Sequence, residues 1–95
     1  MLNKKQKQHL RSLAMTQSAL FQIGKDGLSD NLIMTVAKAL EARELVKVKV
    51  LNTAPIDIEE TAFDLAMNTK SELVQIIGHT IVLYKRAREP KIILP

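Results

Sequence analysis

The hydrophobic pattern of the chain has the period of a helix in three places. Apolar residues recur at spacings of three and four within residues 3–15, 29–42 and 57–68, which predicts three amphipathic helices. Asn3, Ser29 and Asp57 stand at their starts, and short polar side chains of this kind accept hydrogen bonds from the free N–H groups of a first helical turn. Each helix is therefore expected to begin directly after its capping residue.

Four shorter segments have the alternation or the short apolar run that is typical of strands. The clearest spans residues 44–51, where valines alternate with Lys47 and Lys49, so that one face is expected to be buried and the other cationic. Gly78-His79 predicts a hairpin between two further strands, and residues 52–55 are expected to form a turn. The other strands are predicted at residues 19–23, 72–77 and 80–86.

The order of these elements is helix, strand, helix, strand, helix, strand, strand. Strand–helix–strand units favour parallel pairing, and the closing hairpin adds an antiparallel pair. We therefore expect a compact α/β domain with three helices and a mixed four-stranded sheet, spanning residues 1–95 as a single domain. The pattern leaves the order of the strands within the sheet open.

Charge is distributed unevenly along a chain whose formal net charge is +4. Residues 56–72 hold five acidic side chains and one basic one, whereas the rest of the chain holds 13 basic and five acidic ones. Such asymmetry suggests one surface for a polyanion and another surface turned away from it. Chance clustering on a solvated surface would give the same distribution, so charge alone leaves both interpretations open.

The residue types present argue against several classes of protein. The chain has no cysteine, which excludes a disulfide framework, a thiolate nucleophile and a zinc site built on cysteine. No apolar stretch approaches the roughly 18 residues of a membrane span, and a cytoplasmic location is expected. His9 and His79 have no carboxylates at matched spacing, so we expect no metal, no cofactor and no enzymatic activity.

A tight turn, Gly24-Lys25-Asp26-Gly27, lies between the first predicted strand and the second predicted helix. Glycine there permits a positive φ and the close approach of a ligand, and the helix that follows presents free N–H groups. The GXXG loops of KH domains hold a nucleic-acid backbone in this way. Two glycines in four residues also fit an ordinary strand-to-helix turn, and the Gly-Lys-Ser/Thr ending of a nucleotide-binding P-loop is missing.

Four segments, in the same order, resemble the CRM domain (chloroplast RNA splicing and ribosome maturation), and most of all its bacterial stand-alone form, the YhbY family. They are the basic first helix at residues 4–11, the glycine turn at 23–29, the helix-to-strand segment at 39–50 and the hairpin at 74–85. The ending at residues 91–95 is also similar.

The chain departs from the pattern of this family at three places. Thr69-Lys70-Ser71 lacks the glycine expected after the third helix, and a lysine in the left-handed conformation there would cost about 1 kcal/mol. Lys85 stands where the family often has arginine, and Asp26 makes the tip of the turn less cationic.

The resemblance implies a KH-like fold related to the C-terminal domain of bacterial translation initiation factor three, with RNA as the partner. For a bacterial stand-alone form it implies assembly of the large ribosomal subunit, with ribosomal RNA of the precursor particle as the target. The expected RNA contacts are Gly24, Lys25, Asp26 and Gly27 in the turn, Lys4, Lys7 and Arg11 on the first helix, and Lys47, Lys49, Lys85, Arg86 and Arg88 as further cations.

Two other functions stay open at this point. The acidic third helix, with Glu59, Glu60 and Asp64, would suit an adaptor that docks a ribosomal protein, and the chain would also suit a general, non-ribosomal RNA binder. Phe21 and Phe63 lie in apolar contexts and are expected in the core, so recognition of shape and backbone is favoured over base stacking. A monomer is expected, because the pattern leaves no large apolar face unexplained.

Overall fold

The computed structural model describes residues 2–52 and 57–95. It confirms the predicted order of three helices and four strands. The helices are α1 (Lys4–Ala14), α2 (Asp30–Arg43) and α3 (Ile58–Thr69), and the strands are β1 (Phe21–Ile23), β2 (Leu45–Val50), β3 (Glu72–Ile77) and β4 (Thr80–Tyr84). Of the turn predicted at residues 52–55, all but Asn52 lies outside the described residues.

Each helix begins at its predicted capping residue. Asn3 Oδ1 accepts a hydrogen bond from the backbone N–H of Gln6 at 2.8 Å, and Gln6 Oε1 accepts one from the N–H of Asn3 at 3.1 Å. Ser29 and Asp57 accept equivalent bonds from the first turns of α2 and α3. These caps satisfy N–H groups that a helix cannot satisfy by itself.

The C-terminus of α3 closes without glycine. The N–H of Ser71 donates to the carbonyl of Ala66 at 2.9 Å, and the N–H of Lys70 donates to that of Met67 at 3.3 Å. This pattern defines a Schellman motif, in which the residue after the helix takes the left-handed conformation. Lys70 takes it here, with φ 55° and ψ 41°.

The strand order is β1-β2-β4-β3. β1 and β2 are parallel, with Phe21 opposite Val48, as expected for strands joined through a helix. β4 pairs antiparallel with both β2 and β3, so the last strand in the sequence lies inside the sheet. This position explains why the four consecutive residues 81–84 are all buried.

Helices cover both faces of the sheet. α2 and α3 pack on one face, through Val36, Leu40, Ala62, Leu65 and Ala66 against Ile23, Val46, Val48, Val50, Ile81 and Leu83. α1 packs on the other face, through Leu10 and Ala14 against Leu45, Val74, Val82 and Tyr84. Ile92 and Leu94 of the C-terminal segment, residues 85–95 and hereafter the tail, pack beside α1.

The prediction that Phe63 lies in the core was wrong. Its side chain is 61% exposed. The inward face of α3 is centred on Ala62, Leu65 and Thr69, and helical geometry turns Phe63 away from that centre. Phe21 does pack against the core, although it is only half-buried.

Candidate nucleic-acid interface

The four residues 24–27, hereafter the GKDG loop, form a turn closed by a hydrogen bond from the N–H of Gly27 to the carbonyl of Gly24 at 3.0 Å. Gly27 has a φ of 66°, a conformation that favours glycine, whereas the φ of Gly24 is not positive. A Cβ added at Gly24 would lie 3.7 Å from Leu51 Cδ1, which is ordinary contact. The backbone conformation of the loop therefore favours glycine at position 27, and position 24 has room for a side chain.

Lys25 and Asp26 are both exposed at the tip of the GKDG loop. The loop leads into α2, and a shallow pocket of about 280 Å³ lies between Gly24, Gly27 and the first turns of that helix. Ser29 uses its side chain to cap Leu32, so part of the positive end of α2 is already occupied by a neutral hydroxyl. Asp30 adds a carboxylate in the first turn. Lys25 is thus the cation that the loop itself presents.

A row of side chains near the GKDG loop is not covered by α1. Strand pairing places Gln22, Lys49, Thr80 and Ile77 side by side across the sheet, on the face that α1 partly covers. Gln22, Lys49 and Ile77 are exposed and Thr80 is half-buried. The row adjoins the end of β1 from which the GKDG loop departs, so Lys49 and Lys25 lie at the same end of the sheet.

The cations predicted on α1 lie on its flank away from the tail. Gln6 faces the tail, since its Nε2 donates to the carbonyl of Pro95 at 3.3 Å. Helical geometry puts Lys4, Lys7 and Arg11 on the other side of α1. Lys4 and Arg11 are exposed and Lys7 is half-buried. α1 begins beside Glu72, which accepts from the N–H of Leu2, and ends beside Lys47. Arg11, near the end of α1, therefore borders the row that contains Lys49 and forms a basic surface with it, whereas Lys4 lies toward the opposite end of the sheet.

Lys47 is engaged inside the protein. Its Nζ donates to the carbonyls of Ala14 and Gln17, both at 3.0 Å, and its side chain is half-buried. The carbonyl of Ala14 ends α1 and that of Gln17 lies just beyond it, and a cation there also suits the negative end of the helix dipole. Lys47 therefore secures α1 on the sheet, whereas Lys49, two residues further along β2, points its ammonium into solvent.

The remaining predicted cations lie at the opposite end of the sheet. Because β4 is antiparallel to β2, Lys85, Arg86 and Arg88 follow the end of β4 that pairs with the start of β2. They line a concave pocket of about 560 Å³ together with Glu41 and Ala87, hereafter the basic pocket. The sequence does not show that the twelve predicted contacts divide between two ends of the molecule.

Glu44, which the sequence reasoning missed, organises that second end. Its side chain is fully buried, and its carboxylate accepts hydrogen bonds from the N–H groups of Ala87 at 3.0 Å, Ile92 at 2.8 Å and Lys91. Lys91 Nζ also donates to the carbonyl of Ala42 at 2.9 Å. The alternating pattern of residues 44–51 did indicate that Glu44 is buried, because it lies two positions before Val46 and residues two apart in a strand point to the same face.

The pKa of Glu44 reflects two opposed effects. Burial penalises the charged form and acts to raise the pKa, but the three N–H donors and the charge of Lys91 lower it by more. The pKa therefore lies below its ordinary value, and Glu44 is a buried anion at neutral pH. Its backbone is unusual as well, with φ 67° and ψ −43°.

The acidic residues of α3 lie on the other side of the sheet from α1. Glu59, Glu60 and Asp64 are exposed on α3, which belongs to the opposite layer. Beside them lie Phe63 and Met67, which are 61% and 76% exposed. The structure thus separates an acidic helix with exposed apolar side chains from the basic surface near α1.

The described residues contain no group of three or more side chains able to hold a metal ion. His9 is half-buried on α1, and His79 is exposed in the hairpin turn. Within residues 2–52 and 57–95 no helix has the length and apolar character needed to cross a membrane.

A glycine turn before a helix, on a small α/β domain with clustered cations, is characteristic of nucleic-acid-binding domains. The chain belongs to the CRS1 / YhbY (CRM) domain family, whose model matches residues 2–85. It is 50% identical over 91 residues to "Probable RNA-binding protein YqeI" of Bacillus subtilis, covering 96% of this chain and 95% of that protein.

Two further relatives extend this comparison. An "RNA-binding protein" of Haemophilus influenzae is 36% identical over 94 residues, which cover 99% of this chain and 95% of that protein. The solution structure of the hypothetical protein SAV1595 from Staphylococcus aureus is 47% identical, superposes with a TM-score of 0.84 and covers 100% of both chains. The family and the fold expected from the sequence are thereby confirmed.

Proposed function

We propose that this protein binds structured RNA through the GKDG loop and the basic surface beside it, and that it acts in assembly of the large ribosomal subunit. The observation that carries the proposal is the placement of Lys25, Lys49 and Arg11, which belong to three separate elements, toward one end of the sheet. A phosphate backbone lying across that end would meet cations from all three elements. The names of the relatives support RNA as the ligand.

The mode of binding that this surface favours is recognition of backbone and shape. Phe21 is half-buried against the core and Tyr84 is buried, so neither presents an open ring near the GKDG loop. Phe63 is exposed, but it lies on α3 in the opposite layer. Sequence-specific readers of single-stranded RNA usually stack bases on exposed aromatic rings, whereas shape readers rely on phosphate and ribose contacts.

A pair of loop variants with opposite expected effects tests the RNA contact. Lys25→Glu should weaken binding to a structured fragment of large-subunit ribosomal RNA, and Asp26→Asn should strengthen it, because each changes the charge that faces a phosphate. Lys38→Glu is the matched control, since Lys38 is exposed on α2 in the layer opposite α1. If Lys25→Glu weakens binding no more than Lys38→Glu does, the loop is not the contact.

Sedimentation tests the ribosomal role. Cell lysate is separated on sucrose gradients at low and high salt, and the protein is detected in each fraction. An electrostatically held assembly factor should travel with precursors of the large subunit at low salt and leave them at high salt. Sedimentation with free protein at both salts would contradict the ribosomal role and favour a non-ribosomal RNA target.

We further propose that binding involves no catalysis and takes place in the cytoplasm, where ribosomal precursors are found in bacteria. The protein would then act by holding an RNA conformation. RNA recovered after prolonged incubation with the protein should be unchanged in length and sequence, and fractionated cells should contain the protein with ribosomal particles rather than in a membrane pellet.

A second function, docking of a protein, is favoured by one specific observation on α3. Phe63 and Met67 are exposed one helical turn apart, and acids flank them. A partner with complementary chemistry would be a basic segment that offers an apolar side chain, as a ribosomal protein can. The change Glu59→Gln, Glu60→Gln, Asp64→Asn should reduce binding of purified large-subunit proteins and leave RNA affinity intact. Loss of RNA affinity would show that α3 belongs to the RNA surface.

A further inference from the structure

Glu44 is a buried anion that the proposed RNA surface does not use. We propose that Glu44 is a positioning residue for a second RNA contact, in which it fixes the tail so that Lys85, Arg86 and Arg88 surround one phosphate group of the RNA backbone. The inference rests on the proposed RNA function and adds a site at the opposite end of the sheet from the GKDG loop.

The hydrogen bonds of Glu44 fix the tail on both sides of Arg88. One carboxylate oxygen accepts from Ala87, directly before it, and the other accepts from Lys91 and Ile92 further along. The backbone carbonyl of Glu44 also accepts from the N–H of Lys85 at 2.9 Å. A single residue thus holds the backbone where the tail leaves β4 and where it returns to the sheet.

The backbone of Glu44 has a conformation that a residue with a side chain seldom adopts. A φ of 67° is unfavourable for a residue with a side chain, and such a conformation persists where surrounding contacts enforce it. Glu44 closes α2, donates its own N–H to the carbonyl of Leu40 at 2.8 Å and directs its carboxylate toward the tail. The backbone conformation at the junction between α2 and β2 is therefore the one that lets Glu44 bind the tail.

The lining of the basic pocket fits a phosphate. Three of its five lining residues are cations, and Ala87 contributes the one apolar side chain among them. Guanidinium groups bind phosphate oxygens through paired N–H donors, which an ordered backbone presents in fixed directions. Glu41 is the acid at its edge, while the charge of Glu44 is directed to backbone N–H groups and Lys91 and is buried from solvent.

The distance between the two sites sets the kind of RNA that would reach both. β2 separates the GKDG loop from the basic pocket, and its six residues span about 17 Å. Phosphates that far apart belong to a folded RNA or to several consecutive nucleotides. A structured RNA would therefore extend along the protein from one end of the sheet to the other, with contacts at both ends.

Two glutamates near the same pocket give variants with opposite expected effects. Electrostatics alone predicts that removing either negative charge strengthens RNA binding. Glu41→Gln removes the acid at the edge of the pocket, so it should follow that rule and bind a transcribed, structured fragment of large-subunit ribosomal RNA more tightly than the wild-type protein. Glu44→Gln should instead bind it about tenfold more weakly, because the arginines lose their fixed positions.

Salt dependence supplies a second readout. Loss of the one phosphate that the pocket neutralises should reduce the slope of log affinity against log salt by about 0.8. Glu44→Gln should show that reduction, together with faster hydrogen exchange at the N–H groups of Ala87, Lys91 and Ile92. If Glu44→Gln binds the RNA as tightly as Glu41→Gln does, the inference is overturned.

A double-mutant cycle separates positioning from general damage to the fold. Arg86→Gln with Arg88→Gln changes two exposed side chains and should weaken binding as much as Glu44→Gln. Adding Glu44→Gln to that pair should then cause little further loss, because the groups it positions are already absent. A further loss of full size would show that Glu44 acts elsewhere. If Glu44→Gln fails to fold, full affinity in the arginine pair alone still overturns the inference.

Failure of the RNA proposal is distinguishable from failure of this one. If the wild-type protein binds none of the RNA fragments, titration with inorganic phosphate, followed by the NMR signals of the arginine Nε–H groups, tests the pocket directly. Shifts at Arg86 and Arg88 that disappear in Glu44→Gln would support the site. Absence of such shifts in the wild-type protein would refute it.

Discussion

Glu44 and Lys70 are the non-glycine residues with positive φ in the described chain, and each follows the last residue of a helix. Their surroundings differ. Glu44 is fully buried and its carboxylate accepts three backbone hydrogen bonds. Lys70 is exposed, and its unusual conformation is required by the Schellman motif alone. At Glu44 the strained backbone is maintained by hydrogen bonds of the side chain. At Lys70 it follows from the helix ending alone, so a substitution can relieve the strain there.

Replacing Lys70 with glycine should stabilise the protein. Glycine adopts the left-handed conformation without a Cβ penalty, and part of that gain is offset by its greater freedom in the unfolded chain. We expect a rise in the free energy of unfolding of about 0.5–1 kcal/mol, measured by urea denaturation. Lys70→Ala, which keeps a Cβ, is the control and should give no such gain. An equal gain in both variants would mean that the lysine side chain, not the backbone conformation, is unfavourable.

At the scale of elements, the contact between α1 and the sheet depends on a residue that the sequence assigns to the RNA surface. Lys47 and Lys49 are indistinguishable in the alternating pattern of β2. The last residue of α1 and the loop that follows it each bring a carbonyl to the ammonium of Lys47, whereas Lys49 stays exposed. Only the docking of α1 creates this difference.

The two lysines should therefore respond differently to the same change. Lys47→Gln removes two hydrogen bonds from a half-buried ammonium and should lower the free energy of unfolding by about 1–2 kcal/mol. Lys49→Gln should change it by less than about 0.5 kcal/mol, and should reduce the salt slope of RNA binding by about 0.8. If Lys47→Gln reduces the slope as strongly and leaves stability unchanged, its ammonium leaves the carbonyls to bind RNA.

At the scale of the whole molecule, the tail joins elements that are far apart in the sequence. Ile92 and Leu94 of the tail pack beside α1, and the carbonyl of Pro95 accepts a hydrogen bond from Gln6. Three backbone N–H groups of the tail donate hydrogen bonds to the carboxylate of Glu44. The N-terminal region contributes at the same place, where the N–H of Leu2 donates to Glu72 Oε2 at 2.9 Å. Global stability should thus depend on the ionisation of Glu44.

The sign of that dependence follows from the pKa of Glu44, which is lowered from 4.5. A lowered pKa means that the ionised carboxylate stabilises the fold fully above about pH 4.5, and that this contribution is lost as the pH falls through the folded-state value. The other charged or titratable groups near it are Lys91, which lowers the pKa of Glu44, and buried Tyr84, whose own pKa is raised first by burial and then by Glu44.

Glu44→Gln should therefore destabilise the protein by about 2–3 kcal/mol at pH 7, because backbone donors lose a charged acceptor. The difference from the wild-type protein should shrink as the pH is lowered below about 4.5, measured by urea denaturation at a series of pH values. Glu41→Gln, on the exposed face of α2, should change stability by less than about 0.5 kcal/mol. A difference that stays constant to low pH would show that the destabilisation does not come from the charge.

The amino-acid sequence determined the local structure of this protein. Asn3, Ser29 and Asp57 begin the helices where the pattern places them, because a capping side chain bonds only residues two or three positions away. The element order, the hairpin and the left-handed residue after α3 are likewise local properties. Phe63 shows the limit of such reasoning, since an apolar context along the chain does not show which side of a helix faces the sheet.

Only the tertiary structure decided what depends on contacts between distant segments. The placement of β4 between β2 and β3 sends the predicted cations to opposite ends of the sheet, docking of α1 separates the roles of Lys47 and Lys49, and the return of the tail gives Glu44 its partners. Hydrogen bonds that link residues more than 30 positions apart leave no periodic signal in a sequence. The sequence therefore identified the loop and the basic residues, and the fold determined which of them share a surface.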